Sequence, residues 1–232
     1  PLDESAVTTM QSPTAAPRVA FGTLVERIEM NTTDPDPALP EGERATAKHP
    51  HPILSDIKVR TALSKAIDRS ILVEVGYGAG GKPTCNVIPG PEGWASDNEG
   101  CIAQDMEGAK ALLDEAGWAM GADGVRAKDG VPLKVSLWTQ SDSVFRRLTE
   151  VVQAELKAVG IDSEITNFDS STIRDQYKTG EQQLAVRSYY WNNADIVDWF
   201  FGGDRLGYPN ISMFNDPKAE ELRAKAMSGS AN

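Results

Sequence analysis

Between residues 56 and 75 Val59, Leu63, Ile67, Ile71 and Val75 recur at every fourth position, with Ala62 and Ala66 beside them. That is the stripe of a helix with one apolar face. Asp68, a good N-cap residue, falls inside the stripe, so the spacing predicts two helices that meet near Ile67–Asp68 and stop at the glycines of GYGAGG. Upstream the rhythm is different. Within 19–31, Leu24, Glu26, Ile28 and Met30 alternate with Val25, Arg27 and Glu29, the period of a strand. Residues 1–18 are rich in Ser, Thr, Pro and Ala without a period and read as a tail or linker, and 32–50 holds four prolines and reads as a surface loop.

Downstream, Asp105 can cap a helix through Ala109, Leu112, Leu113 and Ala116 that ends at Gly117. The stretch DGVRAKDGVPL, residues 123–133, carries two Asp-Gly turn signals and predicts a hairpin. Leu133, Val135 and Leu137 then alternate. Phe145, Leu148, Val152, Leu156 and Val159 form a helical stripe, and Gly160 leads into IDSEITNF. Strand, crossover helix and strand make a βαβ unit with parallel strands. A helix over 171–179, a strand over 184–190 and a closing helix with Asp216 as N-cap and Pro217 at its first position complete the order. These elements define an α/β domain with a single sheet and flanking helices.

Composition narrows the partners. Thirty-four acidic residues against 23 basic give a net charge of −11, which repels nucleic-acid phosphates and anionic lipid surfaces alike. With 40% hydrophobic residues in 232 the chain can build a core. No apolar run approaches the roughly 20 residues that cross a bilayer. Opening on Pro1 instead of Met, the sequence reads as a processed product or an excised piece. Cys85 and Cys101 bracket a Pro/Gly-rich stretch that suits a disulfide, and closing a loop of that size is worth about 3 kcal/mol in the chain-entropy model. Such a bond implies a location outside the cytoplasm.

Catalytic and metal chemistry find little in the sequence. His49 and His51 flank Pro50 with no third histidine and read as an exposed loop pair, not a metal set. GYGAGG ends a helix instead of opening one after a strand, which disfavours phosphate binding. Asn31-Thr32-Thr33 and Asn210-Ile211-Ser212 match the glycosylation sequon, a pattern too short to carry weight. The densest chemistry is SYYWNNADIVDWFFGGD, residues 188–204. Asp195 and Asp198, three apart, would suit acid–base work in a hydrolase, but Asp195 is equally the N-cap of a helix whose Val197, Phe200 and Phe201 are natural core residues. Tyr189, Tyr190, Trp191, Asn192 and Asn193 come at the carboxyl end of a strand, where open α/β sheets place ligands, with core packing the competing use of one face.

Together these residues resemble a known family. The run DIKVRTALSKAIDRSILVEVGYGAGGKPT, residues 56–84, looks like the corresponding segment of the family 5 extracellular solute-binding proteins, the peptide, oligopeptide and nickel receptors of ABC importers. The likeness continues through DMEGAKALLDEAGW, DGVRAKDGVPLKVSLWT, VVQAELKAVGIDSEI and FNDPKAEELRAKA, over about residues 19–227. It implies a periplasmic-binding-protein-like fold (type II, cluster C) with a mixed sheet, residues 19–232 forming the second lobe of a two-lobe receptor whose first lobe and returning tail lie outside the chain. It also implies a monomer that needs no cofactor or metal, captures a peptide or similar small solute between its lobes and hands it to ABC permease subunits. Such a receptor is periplasmic or extracellular, peripheral to the membrane through its permease or a lipid anchor. A sensor built on the same lobe, or a hydrolase using Asp195 and Asp198, are the alternatives.

Peptide-binding relatives carry a pattern like R-A-G-W-x-A-D, whose acid pairs with the peptide amine. At that spacing the chain reads RSYYWNN, residues 187–193, with Arg187 at the arginine, Tyr190 at the tryptophan and Asn193 at the acid. A register shifted by a residue or two makes Asp195 the acid. The resemblance implies ligand contacts from Arg187, Tyr189, Tyr190, Trp191, Asn192, Asn193 and Asp195. An amide at 193 lacks the charge that favours an ammonium, which shifts the expectation toward an uncharged, anionic or larger ligand.

Overall fold

A computed structural model describes residue 14 and residues 18–40, 43–44, 46–90, 95, 100–191, 193 and 195–229. The predicted strand near residue 25 is β1, Val25–Met30. The long apolar stripe divides where Asp68 falls, into α1 (Ile57–Ala66) and α2 (Arg69–Tyr77). Asp56 accepts from the Lys58 amide at the head of α1, and Asp68 accepts from the Ser70 and Ile71 amides at the head of α2. Ile67, between them, is extended, which resets the helical phase. The inward side of α2 is therefore Leu72, Val73 and Gly76, while Ile71 and Val75, which continue the stripe in sequence, face solvent.

After α3 (Met106–Glu115), capped by Asp105, come β2 (Ala119–Met120), β3 (Arg126–Lys128) and β4 (Val131–Pro132). The predicted hairpin is β3–β4, and β2 extends it to a small antiparallel sheet. Its tight turn uses Asp129 and Gly130, both at positive φ. The βαβ unit follows as β5 (Lys134–Gln140), α4 (Ser143–Ala158) and β6 (Asp162–Phe168), with β5 and β6 parallel. Between α4 and β6, Gly160 has φ +87, and a Cβ there would lie 2.8 Å from Arg126 Cγ. Glycine is needed for both reasons.

The last elements are α5 (Ile173–Tyr177), β7 (Leu184–Tyr189), α6 (Ile196–Phe201) and α7 (Pro217–Met227). The principal sheet has the order β1-β7-β5-β6, with β7, β5 and β6 parallel and β1 antiparallel at the edge. One face of it (Ile28, Met30, Val135, Leu137, Leu184, Val186) packs on α1, α3 and α4 to form the main core. The other carries Arg27, Glu29, Trp138, Ala185, Arg187 and Tyr189 beneath α5, α6 and the 205–213 loop. Cys85 and Cys101 are joined in a disulfide.

The histidine expectation needs correction. His49 lies near the surface, beside Glu43, but His51 is fully buried, its Nδ1 accepting from the Ile53 and Leu54 amides at 2.9 Å each. A residue that organises two backbone amides is held inside by them. Both sequon asparagines are also buried and bonded to backbone, Asn31 to the Gln182 carbonyl and Asn210 to the Phe214 carbonyl.

Candidate ligand-binding site

Alternation along β7 sorts the aromatic segment into two populations. Tyr189 is buried with its ring stacked on Phe200 of α6, 3.4 Å between centroids, while Tyr190, one residue on, is 66% exposed. Burial, reinforced by the Glu29 carboxylate, pushes the Tyr189 phenol far above its ordinary range, so it stays neutral. Trp191 is half-buried and tilts against Trp199 of α6 at 5.8 Å, and Trp199 in turn lies under the Arg205 guanidinium at 4.7 Å. Tyr190, Trp191 and Trp199 thus form a partly exposed shelf of rings beyond the carboxyl end of β7.

The polar residues beside the shelf divide similarly. Asn193 is exposed, and its Oδ1 accepts from the Asp195 amide at 3.1 Å. Asp195 occupies the N-cap position of α6 but makes no capping bond with its side chain, so the local turn is fixed by Asn193 and the Asp195 carboxylate remains at the surface. Asn192 lies outside the described residues. Val197 does not join the core as its spacing suggests: it is 38% exposed, while Ile196 and Phe200 are buried. Asp198 bonds to Arg223 of α7 and lies 3.7 Å from Arg205, which fastens α6 to α7.

Arg187 is placed differently from the exposed residues. It is 93% buried, since only 7% of its surface is accessible, with Nη1 3.0 Å from Glu29 Oε2 and its guanidinium 4.6 Å over the Tyr189 ring. Arg27 shares that carboxylate, Nε to Oε1 at 3.7 Å, and lies 3.9 Å above Tyr189 from β1. Desolvation lowers the Arg27 pKa. The Glu29–Arg27–Arg187 group therefore sits against Tyr189 and Phe200, and Trp191 of the shelf meets Phe200 edge-on at 5.8 Å. Sequence alone did not reveal it, because the partners are brought together only by the β1–β7 register, Arg27 opposite Arg187.

Among the described residues no group of three or more His, Cys, Asp or Glu side chains could hold a metal, and no helix is long and apolar enough to cross a membrane. The architecture is that of a periplasmic-binding-protein lobe. The oligopeptide-binding protein AppA of Bacillus subtilis, solved with a nonapeptide, superposes with a TM-score of 0.75 at 22% identity, over 90% of this chain and 40% of that one. HbpA2 of Haemophilus parasuis superposes at 0.77 with 23% identity, over 97% and 40%.

Residues 9–204 match the model of the bacterial extracellular solute-binding proteins, family 5 middle region, and the chain belongs to that family. Its relatives include the dipeptide-binding protein of Escherichia coli K12, 29% identical over 63% of this chain and 26% of that protein. Heme-binding protein A of Haemophilus influenzae is 25% identical over 74% and 31%. The chain spans less than a third of the length of these curated relatives.

Proposed function

We propose that this chain is the second lobe of a two-lobe receptor that captures a peptide or similar small solute outside the cytoplasm and delivers it to an ABC permease. Family membership supports the class. The observation that carries the site is the split at the end of β7: Tyr189 locks into the lobe while Tyr190, Trp191 and Trp199 stay accessible beside the side chains of Asn193 and Asp195. Rings with polar neighbours at a strand's carboxyl end offer apolar contact and hydrogen bonding to an amide-rich solute. Arg187 and Tyr189 act from below, as positioning residues for that shelf.

In this reading the receptor performs no chemistry. It closes because the solute touches both lobes only in the closed state, a shift of population toward that state. The hydrolase alternative loses ground because Asp198 is already engaged by Arg223 and Arg205. Calorimetry with a set of di- to nonapeptides tests the proposal, comparing this chain with the longer protein. Tight binding by the longer protein, weakened at least tenfold by Tyr190→Ala or Trp199→Ala, is expected. Equal affinity of the lobe and the longer protein would overturn the two-lobe reading, and undiminished binding by both variants would overturn the site.

A further inference from the structure

Residues 82–90, which follow α2 and contain Cys85, pass the end of the principal sheet where β1 begins and β7 finishes. On one side they border a cavity of about 570 Å³ whose other walls include Leu72, Leu148, Val152 and Val186. On the other, Val87 and Ile88 pack on the buried cluster of Tyr189, Ile196 and Phe200. Trp191 of the aromatic shelf rests on the same cluster and meets Phe200 edge-on at 5.8 Å. Val87 and Ile88 are thus tied to the candidate ligand site by a shared support.

The segment belongs to no helix or strand, and among the described residues no backbone-to-backbone hydrogen bond joins it to the body. Two bonds within it are local: the Asn86 amide donates to Thr84 Oγ1 at 3.1 Å, and the Ile88 amide to Asn86 Oδ1 at 3.3 Å. Packed interiors leave few voids larger than a water, so a segment that borders a space of this size lacks packed support on that side. The Cys85–Cys101 bond supplies a covalent tie, and its far end is anchored. Just beyond Cys101 the Ile102 carbonyl accepts from Arg69 Nη1 at 3.0 Å, Gln104 Nε2 donates to the Ala66 carbonyl at 3.2 Å, and the Asp105 amide donates to the Lys65 carbonyl at 2.8 Å. The junction of α1 and α2 therefore reaches Val87 and Ile88 through one disulfide.

We infer that the Cys85–Cys101 bond is a positioning element of the solute site, so that affinity at the shelf depends on the oxidation state of that bond. Reduction by a dithiol breaks the S–S bond and adds a hydrogen to each sulfur, while the dithiol closes to its own disulfide. Residues 82–90 then regain backbone freedom, and Val87 and Ile88 spend part of the time away from the cluster. Trp191 loses lateral support, and a solute that must order the shelf again on binding binds less tightly. The inference rests on the shelf reading proposed above.

The test uses the longer protein and the peptide that binds it most tightly among the di- to nonapeptides. Calorimetry is run well below the melting transition of the reduced form, with circular dichroism to establish that the fold is intact. Dithiothreitol is expected to weaken binding at least fivefold, and Cys85→Ser combined with Cys101→Ser to reproduce that loss without reductant. Val87→Ala combined with Ile88→Ala should weaken binding by the oxidised protein to a similar extent, and reduction should then add less than twofold. A bond that serves stability alone would lower the melting temperature and leave affinity as it was. Unchanged affinity in the folded, reduced protein would overturn the inference and leave the shelf standing. So would a fivefold loss on reduction that persists undiminished in the variant altered at 87 and 88. If no peptide binds the oxidised protein, the shelf reading falls and this inference with it.

Discussion

Arg187 on β7 and Glu29 on β1 meet at 3.0 Å beneath the sheet, and the same carboxylate lies 3.7 Å from Arg27. One buried acid therefore holds two guanidiniums from neighbouring strands. Removing one partner of a buried ion pair leaves uncompensated charge, which costs about 3–5 kcal/mol. Glu29→Gln is accordingly expected to lower stability by that order in urea unfolding. Glu29→Gln combined with Arg187→Met should recover part of the loss, because one of the two stranded cations is gone. An unchanged urea midpoint in the single variant would show that the group contributes nothing to the fold.

Adjacent tyrosines should respond in opposite ways. Tyr189→Ala empties a buried aromatic seat against Phe200 and should destabilise by roughly 3–5 kcal/mol. Tyr190→Ala removes an exposed ring and should leave stability within about 0.5 kcal/mol while weakening solute binding by the longer protein. Paired urea unfolding and calorimetry on both variants read the two effects apart.

His51 makes the fold sensitive to mild acid. Burial lowers its pKa from 6.5 to about 4, since the ring interior has no water to solvate a cation. Its Nδ1 also accepts two amide bonds, which a protonated ring could not do. The unfolded chain takes up this proton below pH 6.5 and the folded chain only near pH 4. The contribution is thus complete above pH 6.5 and is lost as pH falls through that window, on the order of 3 kcal/mol in all. Unfolding midpoints from pH 7.5 to 4 should show it. In His51→Asn, whose oxygen can accept the same amides, the slope between pH 6.5 and 4 should flatten.

The disulfide spans 16 residues, so its reduction should cost about 3 kcal/mol through freedom regained by the unfolded chain. Cys101 is exposed, within reach of a reductant. Thermal melts with and without reductant should differ by roughly 6–12 °C for a domain of this size. Two titratable thiols in the untreated folded protein would contradict the bond.

Elements whose cause is local were readable from the sequence. The break at Asp68, the cap at Asp216 and the turn at Asp129–Gly130 each depend on one or two side chains and their own amides, and so does the order of the βαβ unit. Features that depend on distant pairing were not. The i+4 stripe promised Ile71 and Val75 to the core, but one extended residue at Ile67 turned them outward. His51 looked like a loop residue until residues 53 and 54 folded back onto its ring. At the candidate site the ring-rich segment stood out at once, yet which rings face out is decided by β7 register, and the acid beneath them comes from 158 residues away.

The antiparallel ladder of β1 and β7 pairs Val25 with Tyr189 and Arg27 with Arg187. In a strand, neighbouring side chains face opposite ways, so a slip by one position exchanges inside and outside for every residue after it. Deleting a single residue from Leu184–Val186 would seat the present Tyr190 against Phe200 and turn Arg187 onto the face that packs on α1, α3 and α4, among aliphatic side chains. A three-nucleotide deletion there would therefore put a different tyrosine on Phe200 only by burying a guanidinium in the main core. The same deletion would strand Glu29, so the exchange is open only to variants that alter β1 as well.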